Sequence, residues 1–512
     1  MSRLLVSLTV LLSFSLVLWP PMSRGGEEVL WAGERPEEAE KAVLSLSLED
    51  AITLALENNV DIRVERFNPA IQEARITSEQ GVFDPLLQLD FTARRERTSS
   101  ASQLSGAAVS DQRTLDLNTS LTQQIVTGGS YTLSFTNNRT NTNSSFVTID
   151  PSYRSTLALT LQHPLLRNFG TTVNTTNILI ARRSRDISFL QLKQRVIDII
   201  AQVQQAYWEL VFQLQNLEVQ RQSLKLAEDF LAENRARVEA GVLAPIEIVQ
   251  AQARVASQRV NVIEAEGAVK DAEDRLKRLL TASLADEHWQ MTIQPTDRPV
   301  FQKRELSLEA NIEEALQNRP DLRQVQIDLT NKALLVRFAK NQLLPSLDLR
   351  GSIGLNGLEA TYGRALEVLG DTDTYSWEAG VTLAIPLGNR VARGKLTQRQ
   401  LEFAQSKDNL SRLELDIVTQ VREAIRRVRV NGERVEATRV AKQLAQERLE
   451  AEQEKFRVGL STSFNVLSFQ DALARAERDE IRALIDYTES LLTLEQVKGT
   501  LLDVFNIRLV ER

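Results

Sequence analysis

Residues that usually carry catalysis or hold metal ions are scarce in this chain of 512 residues. It contains no cysteine, which excludes disulfides, thiolate metal sites, catalytic thiols and a lipid-bearing N-terminal cysteine. The two histidines, His163 and His288, lie far apart in sequence, which argues against a zinc site or a histidine general base. No nucleophile–base pair, P-loop or Rossmann fingerprint stands out. The sequence therefore predicts no catalytic, cofactor-binding or metal-ligating residues, and no enzyme.

The charged residues form no ligand-binding motif either. Asp111, Asp116 and Asp150 could suggest a calcium site, but acids scattered through polar loops are usually just solvated. The formal net charge is −7 with acidic and basic residues interspersed, so no basic stripe indicates a nucleic-acid partner. Aromatic residues make up only 5% of the chain, which is typical of long helices packed through Leu, Val and Ala.

The first residues have the pattern of a secretory signal peptide. Arg3 precedes an apolar run from Leu4 to Trp19, which two prolines end. That run is too short for a comfortable transmembrane helix. We predict a signal peptide over residues 1–26, with its cleavage site open, and a linker over residues 27–44. Later in the chain no stretch has about 18 uninterrupted apolar residues, so we expect no spanning α-helix in the mature protein.

The chain contains two copies of one architecture. Residues 46–62 (LSLEDAITLALENNVDI) resemble residues 306–322 (LSLEANIEEALQNRPDL). Further anchors pair first-copy with second-copy residues in the same order: Pro85 with Pro345, Pro164 with Pro386, and Gly241 with Gly459. The repeat is too long for a solenoid, so we expect each copy to be half of a domain, over residues 45–300 and 301–512.

Each copy is expected to place short helices first, then strands, then a hairpin of two very long helices, over residues 180–282 and 391–505. Apolar residues at alternating spacings of four and three predict left-handed supercoiling. This heptad seam comprises Val196, Ile200, Val203, Tyr207, Leu210, Leu214 and Leu217, then Val249, Ala253, Ala256, Val260 and Ile263 on the return helix, and Ile417, Val421, Ala424 and Val428 in the second copy. We expect Asn431-Gly432 to interrupt the second-copy helix that carries Ile417 to Val428. A fibrous coiled coil would explain the heptads but not the strands.

The strand segments alternate between apolar and polar residues. Examples are Leu115, Leu117, Thr119 and Leu121 against Asp116, Asn118, Ser120 and Thr122, and Tyr375, Trp377, Ala379 and Val381 against Ser376, Glu378, Gly380 and Thr382. Such segments suit half-buried antiparallel strands, or barrel strands with lipid on one side and water on the other. An ordinary β-sandwich fits the alternation equally well. The signal peptide and the long helices favour the barrel.

The number of strands predicts an assembly. The span between the paired prolines is longer in the first copy by about one hairpin, placed over residues 111–139 with Gly128-Gly129 at its turn. We predict about four strands within residues 85–163 and two within 346–386. Six strands do not close a membrane barrel, since single-chain barrels begin at about eight strands and open edges are not tolerated in lipid. The chain is therefore expected to share its barrel with other copies.

The chain resembles the TolC family of outer-membrane efflux channels over roughly residues 45–505. The resemblance rests on the LSLEDAI and LSLEANI openings, the strand–proline–leucine junctions, and the glycine turns in RVEAGVLAPIEIV and FRVGLSTSFNVL. It implies an α+β membrane protein: a homotrimer with a shared transmembrane antiparallel β-barrel and a long α-helical coiled-coil barrel crossing the periplasm. Three copies of six strands would give about 18 strands, where the best-known members have twelve.

The resemblance also implies partners and a function. The partners would be outer-membrane lipids, a periplasmic adaptor protein and an inner-membrane transporter, with no cofactor and no nucleic acid. The chain would be the passive exit duct of a tripartite efflux or type I secretion system. Small-molecule efflux and protein secretion fit the sequence equally well. The alternative is a periplasm-spanning structural or adhesin-like coiled-coil protein without transport, which predicts no ion conductance.

The two glycine turns are the candidate functional site. Gly241 and Gly459 follow long helices and precede new ones, as left-handed glycines at helix C-termini do. By the resemblance, these glycines together with Val242 and Leu460 form periplasmic tips, where the duct closes and the adaptor docks.

The resemblance further implies a pore constriction formed by Glu247, Asn465 and Ser468. Relatives often carry aspartates after the second turn, whereas Asn465 and Ser468 are neutral here. Glu247, the first-copy counterpart of Asn465, keeps a carboxylate. Because a helix dipole favours a carboxylate in any first turn, Glu247 is either a gate residue or a helix-end charge.

Overall fold

The computed structural model describes residues 42–99, 106–371 and 373–509. The predicted signal peptide and nearly all of the predicted linker lie outside the described residues. The described residues from Val43 onward form one unit. Its elements follow the order short helices, strands, long helical hairpin, and then repeat that order.

The first half begins with a short strand and ends with another. Its elements are β1 (Val43–Leu46), α1 (Leu48–Asn58), α2 (Val60–Glu65), α3 (Phe67–Gln80), β2 (Leu86–Ser99), β3 (Val109–Gln124), β4 (Ser130–Thr142), β5 (Ser152–Pro164), α4 (Thr171–Asn174), α5 (Thr176–Glu239), α6 (Ile246–Leu280) and β6 (Thr292–Pro295).

The second half repeats the order with two strands instead of four. Its elements are α7 (Leu308–Asn318), α8 (Pro320–Asn341), β7 (Ser346–Glu359), α9 (Tyr362–Gly370), β8 (Tyr375–Ala384), α10 (Arg390–Arg457), α11 (Ser463–Lys498) and α12 (Leu501–Val504). The predicted fold class is confirmed in its elements, with long helices and an antiparallel sheet. None of the helices in the described ranges is long and apolar enough to cross a membrane.

The duplicated openings fold alike because both carry an N-terminal helix cap. The Ser47 hydroxyl accepts a hydrogen bond from the Asp50 backbone N–H, and the Asp50 side chain accepts from the Ser47 backbone N–H. Ser307 caps α7 by accepting from the Ala310 backbone N–H. These side chains satisfy amides that have no partner within the helix.

The long helices α5 and α10 contain 64 and 68 residues. At 1.5 Å per residue each is about 100 Å long. The expected interruption at Asn431-Gly432 is wrong, because α10 continues through both residues. A Cβ at Gly432 would lie 3.5 Å from the Tyr487 ring, and the Asn431 side chain donates to the Asp486 carbonyl oxygen over 3.0 Å. Packing against α11 thus offsets the roughly 1 kcal/mol that a mid-helix glycine costs.

The predicted heptad seam is buried in α5 and α10 but not in α6. Val196, Val203, Ile417 and Val421 are buried, as expected of the seam. In α6 the predicted return seam is not covered within the chain, since Val249, Val260 and Ile263 are exposed there. The face of α6 that packs onto the chain carries instead Ala251, Val255, Gln258, Ala265, Ala272 and Leu276.

Six strands form one antiparallel sheet in the order β2-β3-β4-β5-β7-β8. The register aligns the alternating residues across strands, so that Leu87, Leu121, Leu133, Leu159 and Ile353 lie in one row. One face of the sheet is therefore apolar and the other polar. The large side chains of the apolar face are exposed: Leu87, Leu89, Phe91, Leu117, Leu133, Leu157, Leu159, Leu161, Leu349, Ile353, Trp377, Val381 and Leu383.

The two outer strands of this sheet have one hydrogen-bonded neighbour each. Within the described ranges, β2 pairs only with β3, and β8 pairs only with β7. Every residue of β2 is exposed. Each outer strand therefore presents a free row of backbone N–H and C=O groups.

A parallel pair of short strands, β1 and β6, joins the beginning of the first half to its end. The Tyr207 hydroxyl lies beside this pair, donating to the Leu46 carbonyl oxygen over 3.1 Å and lying 2.9 Å from the Asp297 carboxylate. Burial raises the pKa of Tyr207 to about 12. The largest buried apolar cluster surrounds these contacts and unites β1, α1, α5, α6, β6, α11 and α12.

Candidate functional site

Both hairpin tips have the same backbone geometry. Gly241 and Gly459 adopt φ values of 75° and 78°, the left-handed region that favours glycine. At the first tip the Val242 N–H bonds the Arg237 carbonyl oxygen over 2.9 Å, and the Gly241 N–H bonds that of Val238. At the second tip the Leu460 N–H bonds the Lys455 carbonyl oxygen over 2.8 Å, and the Gly459 N–H bonds that of Phe456. Both turns are Schellman motifs, which end a helix sharply and allow the chain to reverse.

The tips present apolar side chains to solvent. Val242 is 71% exposed and Leu460 is 79% exposed. Phe464, on the first turn of α11, is 70% exposed, and Ile246 begins α6 with its side chain also exposed. A surface that groups several large exposed apolar residues at one end of a protein is typical of a protein-binding site.

A small apolar cluster holds the four long helices together at the tips. We call it the tip cluster: Phe230, Ala251, Leu449, Phe456, Val466 and Leu467. The rings of Phe230 and Phe456 lie 5.3 Å apart, and the Arg237 guanidinium lies 4.8 Å from the centre of the Phe456 ring. The tip of each hairpin is thus packed onto the other within one chain.

Polar contacts also cross between the hairpins. The buried Asn234 side chain on α5 donates to the Ser463 hydroxyl on α11 over 3.1 Å. Arg254 on α6 forms an ion pair with Asp471 on α11. Burial and the nearby Arg475 lower the pKa of Arg254. Because Asp471 is the partner that compensates this partly buried guanidinium, removing it would leave an unpaired charge.

Glu247 lies in the first turn of α6 with its side chain half-buried. Its carboxylate oxygen Oε2 is buried and has no hydrogen-bond partner among the described residues. A buried, unpaired carboxylate oxygen is unfavourable, whereas a freely solvated helix-end charge is not. The structure thus places one carboxylate oxygen of Glu247 against its own chain rather than freely in solvent.

Asn465 and Ser468 lie on the first turns of α11 and are both exposed. The Asn465 backbone N–H donates to the Thr462 hydroxyl, and its side chain donates to the Ser461 hydroxyl, each over 3.4 Å. No hydrogen bond joins Glu247 to Asn465 or Ser468 within the part of the chain that the structure describes. The three predicted constriction residues thus lie at the two tips without forming one site in a single chain.

Sequence reasoning missed several residues of the tips. Glu452 accepts a hydrogen bond from the Ser461 hydroxyl over 2.5 Å, which lowers the pKa of Glu452 and ties the second turn to α10. Asn234 and the Arg254–Asp471 pair also join elements that are distant in sequence. A polar residue on an otherwise apolar seam, such as Asn234 four positions after Phe230, is the one signal that the sequence offered.

The structure contains a second polar site, between α5 and α11 away from the tips. A cavity of about 310 Å³ is lined by Asp198, Gln204, Glu489 and Gln496, among others. Burial, together with the charges of Asp486 and Glu209, raises the pKa of Glu489 to about 7. Within the described residues, no cluster of three or more His, Cys, Asp or Glu side chains is placed to hold a metal ion.

Comparison with known proteins gives a consistent result. The family model described as outer membrane efflux protein matches residues 124–282 and 311–500. Nodulation protein T of Rhizobium leguminosarum bv. trifolii is 23% identical over 346 residues, covering 65% of this chain and 70% of that protein. Outer membrane protein TolC of Vibrio cholerae is 26% identical over 306 residues, covering 59% of this chain and 68% of that protein.

Solved structures share the fold. A membrane protein from Pseudomonas aeruginosa has a TM-score of 0.66 at 18% identity, covering 88% of this chain and 93% of that one. The Campylobacter jejuni CmeC outer membrane channel has a TM-score of 0.63 at 16% identity, covering 89% of this chain and 86% of that one.

Proposed function

The chain belongs to the outer membrane efflux protein family, and from that membership we propose that it is the exit duct of a tripartite efflux or type I secretion system. It is an outer-membrane efflux channel that extends into the periplasm, and the predicted family and location are confirmed. The proposal adds that the duct is passive. An inner-membrane transporter supplies the energy, and a periplasmic adaptor connects that transporter to the duct.

The observation that carries the proposal is the incomplete sheet. One face is apolar and exposed, as suits lipid, and the other is polar, as suits a water-filled lumen. Both outer strands have free edges, which lipid does not tolerate. In a homotrimer, β8 of each copy would pair with β2 of the next, and three six-stranded sheets would close a barrel of about 18 strands.

Exposed apolar stripes on the helices support the same assembly. Val249, Val260 and Ile263 lie on the face of α6 that does not pack within the chain. Leu401 and Leu415 are exposed on α10, two heptads apart. Stripes at this spacing pack against neighbouring helices in coiled coils, so three copies would bury them in a helical barrel about 100 Å long.

The tips are proposed as the gate and as the adaptor-docking surface. Val242 and Leu460, beside the glycine turns, would contact the adaptor through exposed apolar area. Threefold symmetry would turn Glu247, Asn465 and Ser468 into rings of three, with Glu247 the only charged ring. Three carboxylates around a narrow pore attract cations and repel one another.

The ring is tested by Glu247→Gln. We expect the variant to lose most of its preference for cations over anions, and to be blocked less by polyvalent cations, while it still inserts as the wild type does. Glu239→Gln, at the end of α5 on the same tip, is the control and should leave selectivity unchanged. If the selectivity and the polyvalent block of Glu247→Gln equal those of the wild type, Glu247 is only a helix-end charge.

Channel activity itself is tested by planar-bilayer recording of the purified protein. We expect discrete, ohmic conductance steps. Stable insertion without conductance, even after the tips are loosened by breaking the Arg254–Asp471 pair, would instead support a periplasm-spanning spacer or adhesin stalk.

A further inference from the structure

Arginine side chains gather at one end of the apolar face of the sheet. We call them the loop-end arginine patch: Arg95, Arg97, Arg113 and Arg139. They lie at the end of the sheet that is opposite the long helices, where β2, β3 and β4 approach their connecting loops. The register places Arg95 opposite Arg113, and Arg139 opposite Leu115. Strand alternation puts all four on the same face as Leu89 and Phe91.

The patch has more positive than negative charge. Asp111 pairs with Arg95 over 2.6 Å and with Arg97 over 3.5 Å. Neither Arg113 nor Arg139 forms an ion pair with a carboxylate among the described residues, and Asp111 attracts Arg113 only at longer range. Arg139 donates to the Tyr153 hydroxyl over 3.1 Å, and Glu359 lies across from Tyr153 in the register. Four guanidinium groups thus face two carboxylates.

The position of the patch along the strands determines whether its arginines contact lipid tails or lipid headgroups. From Leu87 to Arg95, β2 runs about 26 Å at about 3.3 Å per residue. Because barrel strands are tilted by about 40°, this run rises about 20 Å along the membrane normal, most of the apolar band of about 25 Å that outer-membrane barrels present to lipid, so the patch lies near the border of that band. An arginine in the middle of that band would be unfavourable by about 2–4 kcal/mol, but at its border it reaches the lipid headgroups. The planar guanidinium is suited to phosphate, which it binds through two parallel hydrogen bonds.

An apolar crevice lies beside the patch. The short helix α9 packs onto β5 and β7, and a cavity of about 220 Å³ opens next to it. Phe91, Leu115 and Leu117 line its apolar side, and Arg139, Tyr153 and Tyr362 stand at its border. A crevice of this kind beside a guanidinium group that has no ion-pair partner among the described residues fits a molecule with a phosphate head and a hydrocarbon chain.

We propose that the loop-end arginine patch binds the phosphate group of an anionic outer-leaflet lipid, whose hydrocarbon chain occupies the crevice beside α9. The inference rests on the proposed function, because it requires the apolar face to meet the membrane. Arg113 and Arg139 are the main phosphate-binding residues of the proposal, since Asp111 forms direct ion pairs with Arg95 and Arg97 and attracts Arg113 only at longer range.

The experiment measures lipid bound to the assembled channel. Delipidated wild type is incubated in mild detergent with diphosphorylated lipid A or with its dephosphorylated form, and native mass spectrometry counts the lipids retained. We expect the wild type to retain at least fivefold more of the diphosphorylated form. The double variant R113Q/R139Q should lose this preference, and R113K/R139K should keep much of it.

A matched control separates this site from general electrostatics. R94Q/R154Q removes two positive charges from the polar face of β2 and β5 and should bind lipid as the wild type does. Equal retention of both lipid A forms by the wild type, or an undiminished preference in R113Q/R139Q, would overturn the site. Conductance of the same samples tests the proposed function separately: channels that conduct but show no phosphate preference refute only the lipid site.

Discussion

The helical hairpins satisfy their hydrogen bonds and bury their tip cluster within one chain, whereas the sheet does not. In the hairpins, backbone hydrogen bonds close within each helix, and the tip cluster packs all four long helices within one chain. In the sheet, β2 and β8 each leave a free edge, and the large apolar side chains stay exposed. One chain can therefore build the tips but cannot build a sheet that is stable in lipid. The sheet should determine assembly, and the hairpins should determine gating and docking.

Removing strands should have the largest effect, because it changes the assembly itself. Deleting residues 111–139 removes most of β3 and β4 and leaves β2, which runs in the same direction as β4, free to pair with β5. We expect trimers whose barrel diameter is smaller by about a third, since diameter grows roughly linearly with strand number. Electron-microscopic averages viewed down the barrel would measure it. An unchanged diameter in the deletion variant would mean that this hairpin lies outside the barrel.

Changing the apolar tips should leave assembly intact and impair docking. Leu460→Ser with Phe464→Ser removes exposed apolar area at the second tip. We expect the Kd for the periplasmic adaptor of the same cell, measured by surface plasmon resonance, to rise at least tenfold, or about 1.4 kcal/mol. Leu284→Ser, equally exposed but in a loop far from the tips, is the control. Normal adaptor binding by the tip variant would place the docking surface elsewhere.

Breaking the ion pair between the hairpins should loosen the tips by a smaller amount. Arg254→Gln leaves Asp471 without its partner in a partly buried place. We expect the free energy that holds the tips closed to fall by about 1–2 kcal/mol, which raises hydrogen exchange of the tip amides roughly tenfold. Arg259→Gln breaks the more exposed pair with Glu228 and should change exchange little. Equal exchange in the two variants would show that the Arg254 pair does not hold the tips.

An effect of similar size, but limited to part of the pH range, is expected within the hairpins. The folded-state pKa of Glu489 is about 7, whereas an unfolded glutamate titrates near 4.3. Between these values the folded state holds a proton that the unfolded state releases, so this group makes stability fall as pH rises towards 7. Since the carboxyl is partly exposed, we expect Glu489→Gln to be more stable than the wild type by about 1–2 kcal/mol at pH 8, and to lose most of that gain at pH 5.

Thermal unfolding at the two pH values measures this difference. Glu433→Gln, which changes an exposed glutamate on α10, is the control, and its stability relative to the wild type should be the same at both pH values. A Glu489→Gln variant whose gain is the same at pH 5 and pH 8 would show that the carboxyl titrates normally.

Features set by local sequence could be predicted, and those set by contacts between distant elements could not. The period-two segments located the six strands, and Gly241 and Gly459 located the helix ends, because alternation and left-handed glycine are local rules. Asn431-Gly432 was misleading because its environment depends on Tyr487, which belongs to another helix. The Arg254–Asp471 pair has no local signature, since only the packing of two hairpins brings it together.

Two further differences come from faces that the sequence could not assign. The apolar stripe through Val249 and Val260 in α6 predicted packing against a neighbouring helix without showing which one. Helix α6 carries two apolar faces, and the chain itself covers only the other one. Helix α9 was missed between β7 and β8, although Tyr362, Ala365, Leu366 and Leu369 recur at helical spacing. The helix has only nine residues and lies between two strands, so its helical spacing was not recognised.

The central claim is that the sheet is completed only by other copies of the chain. The mass of the protein extracted from outer membranes in mild detergent tests it most directly, combined with cross-linking of cysteines introduced at Leu89 in β2 and Val381 in β8. Because the native chain has no cysteine, every cross-link formed is an introduced one. We expect a mass of three chains and a covalent trimer that forms only when both cysteines are present. A stable monomer in the outer membrane would contradict the account.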